Sequence, residues 1–162
     1  MKYPLSILFA ITIFGLNASS GYAQVAKPAA TPVYDAELAK RLGADDYGMK
    51  SYVFCILKTG PKDAEIKDKK QRDDIFARHM ANMKRLADEG KLVMAGPFMK
   101  NERSYRGLFI FNVTTVEEAQ KLVDTDPVIQ SGMMIAELTP WYGSASLLAT
   151  PEIHKKIAKV NP

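Results

Sequence analysis

Apolar residues run unbroken from Tyr52 to Leu57 and are followed by Thr59-Gly60-Pro61, a short continuous run closed by turn residues that predicts a buried strand. From about Asp68 to Glu89 the period changes. Ile75, Phe76, His79, Met80, Met83, Leu86 and Ala87 recur at intervals of three and four, while Asp74, Arg78, Arg85 and Asp88 take the opposite side, which predicts an amphipathic helix ended by Gly90. Leu92 to Ala95, closed by Gly96-Pro97, reads as a second strand, and Gly107 to Val113 as a third beyond the polar connection Lys100 to Arg106. Thr114 or Thr115 is placed to cap a second helix, with Glu117 and Glu118 in its first turn and Ala119, Leu122 and Val123 inward. Asp126-Pro127 interrupts it. Proline suits the first position of a new helix, so Asp126 caps a short turn running to Gly132, and Met133 to Leu138 supplies the last strand.

Strand, helix, strand, strand, helix, strand is the order of a ferredoxin-like βαββαβ sandwich, an α+β fold in which a four-stranded antiparallel sheet carries two helices on one face. A sheet covered on one face alternates apolar and polar residues, yet Tyr52 to Leu57, Leu108 to Phe111 and Met133 to Ala136 are apolar at every position. The second face must also be buried. A homodimer with an isologous interface is the expected cover; the monomeric alternative uses the N-terminal segment or the tail beyond Trp141.

The rest of the 162 residues frames this core. Lys2, the apolar run Leu5 to Leu16 and the small residues Gly21 and Ala23 read as a signal peptide, residues 1–23, cleaved after Ala23; the run is too short to span a bilayer. A periplasmic or secreted protein, with no stable membrane insertion after cleavage, is expected. Residues 24–49 form a linker, with Pro28 and Pro32, and a short helix from Tyr34 to Leu42 stopped by Gly43. Residues 50–142 are the folded domain and 143–162 a C-terminal tail. The net charge of +4 is spread among acids, which excludes the basic face of a nucleic-acid-binding protein. The single cysteine, Cys55, lies inside an apolar strand and reads as a small buried hydrophobe rather than a bridge between two chains.

His79 falls at the centre of the apolar stripe of its helix, where the pattern asks for leucine. It reads either as a base working near neutrality or as a hydrogen-bonded core residue. Asp126 reads either as an ordinary cap or, because packed helices lie roughly 8 to 10 Å apart, as a carboxylate that meets His79 and leaves its other ring nitrogen free for a proton. Arg103 and Arg106, flanking the third strand, are candidates for holding a carboxylate or phenolate, and Trp141 and Tyr142 for stacking on a ring; solvated and packing roles are the alternatives. Two histidines and one cysteine without ligand spacing give no metal site, and no cofactor motif is present in the sequence.

His79, Leu86, Glu89-Gly90-Lys91-Leu92, Ala95-Gly96-Pro97, Asp126-Pro127, Gly132, Glu137 and Pro140-Trp141 together resemble the YciI-related (YCII) domain family over about Lys50 to Trp141. The resemblance implies a dimeric α/β-barrel with a pocket holding a His and an Asp, which map onto His79 and Asp126. One relative in that family is a dehydrochlorinase acting on a chlorinated hydroxyquinol, and muconolactone isomerase has a similar fold. Proton transfer on a small cyclic substrate, by a cofactor-independent lyase or isomerase, is the implied chemistry. A non-catalytic module binding a small ligand on the same fold is the alternative, and a purely structural role for the two residues a third. The export signal, the Tyr34 to Met49 extension and the Tyr142 to Pro162 tail depart from the short family form.

Overall fold

A computed structural model of the chain describes residues 33–160. The expected signal peptide and the stretch from Gln24 to Pro32 lie outside the described residues. Helix α1, Ala36–Leu42, is capped by Asp35 and ends where Gly43 takes φ 64°, and β1, Met49–Thr59, follows. Helix α2, Lys69–Asp88, starts at Asp68, whose side chain accepts from the amides of Lys70 and Gln71. Strands β2, Leu92–Pro97, and β3, Tyr105–Phe111, precede α3, Val116–Val123, capped by Thr115, and the single turn α4, Pro127–Gln130, capped by Asp126. Strand β4, Met134–Ser144, leads into a 3-10 turn, Ala145–Ala149, and α5, Thr150–Ile157.

The sheet is antiparallel in the order β2-β3-β1-β4, the ferredoxin-like arrangement. Successive strand residues point to opposite faces. On one face Val53, Cys55 and Leu57 of β1 and Phe109 and Phe111 of β3 pack against Ile75 and Leu86 of α2, Ala119 and Val123 of α3, and Val128 of α4. This is the main core.

The two outer boundaries differ from the sequence reading. β1 and β4 are both 11 residues long and stay paired from Met49 with Ser144 to Thr59 with Met134, so strand pairing carries them past their apolar centres. Pro140 sits inside β4 without breaking it, because β4 is an edge strand and one side of its backbone needs no partner. The expected tail from 143 onward is largely ordered, and it answers the question of the second face in part. Leu147 and Leu148 pack on Tyr52, Ile110 and Val93, which are 0%, 6% and 7% exposed. Phe54 and Leu108 border that cluster and stay half-buried, while Trp141 and Ile135 of β4 are exposed.

Candidate functional site

Helix α2 presents Ile75, His79 and Leu86 inward. The aliphatic pair fixes the helix on the sheet, and the imidazole between them has no choice but to meet the core. Its ring lies on Phe109, with centroids 6.1 Å apart and 27° between planes, and meets the edge of Phe76 at 6.2 Å. Across the seam α3 stops at Val123, the amide of Asp126 donates to the Val123 carbonyl, and the Asp126 side chain turns back toward α2.

His79 Nδ1 stands 2.8 Å from both Asp126 oxygens. Oδ1 also accepts from the Val128 amide at 3.1 Å, so the residue caps α4 and holds the imidazole at once. The two readings of Asp126 are therefore not exclusive. The side chains are 10% and 2% exposed. A carboxylate can only accept, which puts the shared proton on Nδ1 and leaves the Nε2 lone pair available. No hydrogen bond engages Nε2 among the described residues, and it is not the buried polar atom left without a partner, which is Asn82 Nδ2. The free nitrogen is therefore not sealed from solvent.

Two neighbours of the pair add to its surroundings. Cys55, paired in register with Phe109, is fully buried beside it, as its apolar strand leads one to expect, and burial first, then the Asp126 charge, pushes its thiol up to about 12. Asn82, one turn beyond His79, accepts from Arg85 at 2.8 Å, and Arg85 also donates to Thr125 Oγ1 at 3.1 Å. That cluster pins the residue next to Asp126, and spacings of three along α2 are its only trace in the sequence.

The other candidate residues lie apart from this pair. Arg106 occupies the bulge where the β1–β3 register shifts, and its guanidinium lies 3.6 Å from Asp63, which Arg72 holds at 2.7 Å. Arg103 is exposed with its guanidinium 6.0 Å from the Tyr105 ring. Trp141 is the direct partner of Tyr52 on the opposite sheet face, packs on Tyr52 and Phe54, and lies over Gly143, where a Cβ would come within 2.4 Å of its ring. The Tyr142 hydroxyl donates to the Asp45 carboxylate, which lowers the acidity of the phenol and holds the carboxyl below its usual range. The substrate-holding cluster expected from these four does not assemble around His79 within one copy of the chain.

Two cavities stand apart from the pair, and His79 lines neither of these two. One, of about 380 Å³, is walled by Phe54, Ile56, Thr139 and Trp141 on the second face; the other, of about 410 Å³, follows the β2 edge. No group of three or more His, Cys, Asp or Glu residues is arranged to hold a metal among the described residues, and none of the helices there is long and apolar enough to cross a membrane.

The family model of the YCII-related domain matches residues 52–142, more than half of the chain and the span that contains His79 and Asp126. The chain belongs to the YCII-related domain family. No curated protein matches the sequence. Among solved structures this YCII-related chain is similar to 5-chloro-2-hydroxyhydroquinone dehydrochlorinase from Burkholderia phenoliruptrix, solved with 2,5-dihydroxybenzoquinone. The identity is 18%, over 56% of this chain and 92% of that one, with a TM-score of 0.43.

Proposed function

We propose that the protein is a small-molecule enzyme in which His79 takes and returns a proton at Nε2 while Asp126 holds the opposite side of the ring. The observation that supports this reading is the placement of Nδ1 at 2.8 Å from a carboxylate whose side chain is only 2% exposed. With Nδ1 committed, Nε2 is the only ring site that can accept a proton. Abstraction from a carbon next to a carbonyl leaves an electron pair that either accepts the proton back at another carbon, an isomerisation, or expels a leaving group, an elimination. Neither outcome needs a redox partner. We further propose that the chain is exported, with cleavage after Ala23, and acts as a homodimer.

The test is incubation of the wild type, His79→Ala and Asp126→Asn with a panel of small hydroxylated cyclic compounds, followed by mass spectrometry. Positioned acid–base catalysis contributes about 10²- to 10⁴-fold, so His79→Ala should lose turnover by that factor and keep its circular dichroism. Wild-type turnover in that variant removes the assignment. A second reading, binding without chemistry, is favoured by one observation: His79 is only 8% exposed, which leaves little of the ring open to a substrate. Under it the ligand is recovered unchanged after any length of incubation.

A further inference from the structure

Arg72, in the first turn of α2, reaches back over the β1–α2 connection. Its guanidinium donates to the Asp63 and Ile66 carbonyls at 2.8 and 3.1 Å and to the Asp63 carboxylate at 2.7 Å, so three hydrogen bonds fix it. Arg106 comes to the same carboxylate from the start of β3, where it has no register partner in β1. At 3.6 Å from Asp63 Oδ2 it forms an ion pair without a hydrogen bond, and no other acceptor engages its guanidinium among the described residues. None of its nitrogens is sealed from solvent, since the buried side-chain atom without a partner is Asn82 Nδ2. Arg106 therefore presents a planar fork of donors that is unspent and open to water.

Two guanidiniums face one carboxylate. Asp63 is the one acid within 4 Å of either among the described residues, so the group carries an uncompensated positive charge. The pairs Lys58–Glu137 and Lys69–Asp73, by contrast, balance one to one. The two arginine side chains are 29% and 32% exposed, and like charges so placed are screened less than on an open surface. Arg72 is tied to the backbone and cannot turn away. A single negative charge across the Arg106 fork would cancel the excess.

We infer that Arg106, beside the Arg72–Asp63 pair, binds the carboxylate of a small molecule through two parallel N–H donors. One carboxylate leaves the group neutral, whereas a doubly charged phosphate overshoots it. Arg72 precedes His79 by two turns, about 10 Å along the helix, and the buried Ile75 comes between them. The site is separate from the imidazole, so its fate does not depend on the proton-transfer reading.

The experiment follows the Nε–H resonances of Arg106 and Arg72 in the full chain while sodium acetate replaces sodium chloride at constant ionic strength. Acetate should shift them along a saturating curve with a dissociation constant on the order of 1 mM, the affinity that two charge-assisted hydrogen bonds support. Arg106→Lys keeps the charge and loses the fork, so binding read at Arg72 should weaken at least about tenfold. Asp63→Asn leaves an oxygen for Arg72 and removes the competing charge, so acetate should bind about two- to fivefold more tightly. Arg103→Gln, which removes an exposed arginine outside the group, should leave the curve unchanged. A shift that never saturates, inorganic phosphate binding where acetate does not, wild-type affinity in Arg106→Lys, no gain in Asp63→Asn, or an equal loss in Arg103→Gln would each overturn the inference.

Discussion

A single imidazole changes what the α2–α3 seam can do, because a leucine at position 79 would fill the same stripe and carry no proton. The Asp126 carboxylate decides which ring nitrogen holds that proton. In Asp126→Asn the amide oxygen still caps Val128, but its NH₂ group now faces Nδ1 as a donor, so the ring proton moves to Nε2 and the base is lost. Turnover should fall about 10²- to 10⁴-fold, while stability falls by only about 1 to 3 kcal/mol. Nitrogen NMR of His79 reads the tautomer directly: Nδ1–H in the wild type, Nε2–H in the variant. Finding Nε2–H in the wild type would contradict the arrangement. Cys55 offers a second test at this scale. Its thiol titrates near 12 when folded against 9.0 ordinarily, so between about pH 9 and 12 the unfolded chain releases a proton that the folded chain keeps. Stability must therefore decline as pH rises through that window, by at most about 1.4 kcal/mol per pH unit, with no contribution to the slope below it. Cys55→Ala should remove that part of the decline in urea denaturation, and the wild-type thiol should resist alkylation at pH 8.

Elements whose order comes from local chemistry were legible in the sequence. Asp68, Thr115 and Asp126 start helices α2, α3 and α4 where their side chains accept from the first-turn amides, and Gly90, at φ 67°, follows α2. The seam between His79 and Asp126 was legible for the same reason, since helical period and capping orient both residues before any tertiary contact is known. What depended on pairing or packing was not. Nothing local marks Lys50, Ser51 or Gly143 as strand; each is held there by the register of β1 with β4. Arg106 stays outside the candidate site because its guanidinium lies beside Asp63, which Arg72 near the start of α2 holds, and Trp141 because strand alternation puts it on the other face from Phe109. The helical tail escaped notice because its short apolar stretch, Leu147-Leu148, is stabilised by the sheet rather than by its own period. Replacing both leucines by alanine should therefore cost about 2 to 4 kcal/mol in urea unfolding through exposure of Tyr52, Val93 and Ile110. The His79 nitrogen resonances should stay put. If they move, the two faces of the sheet are coupled more tightly than this packing implies.

At the scale of the molecule, one surface remains to be accounted for. The tail covers the β2–β3 side of the second face, yet Phe54 and Ile56 line an open cavity with Thr139 and Trp141, and Trp141 is 39% exposed. Lys58 and Glu137, joined at 3.1 Å, close its rim with an exposed ion pair. An apolar centre with a polar rim is the anatomy of a protein interface. The face lies around the central strand β1, so a second copy related by a two-fold axis sets like surface on like, as an isologous dimer requires. Sedimentation at micromolar concentration should give twice the chain mass. Phe54→Arg should give the monomer with unchanged circular dichroism, because the half-buried side chain belongs to the open face rather than to the main core. Trp141 is the only tryptophan, so its emission should shift to the red as the wild type dissociates on dilution and sit at that position in Phe54→Arg at every concentration. A wild type that stays monomeric at high concentration, or a Phe54→Arg variant that still dimerises, would mean that this face is not where two copies meet.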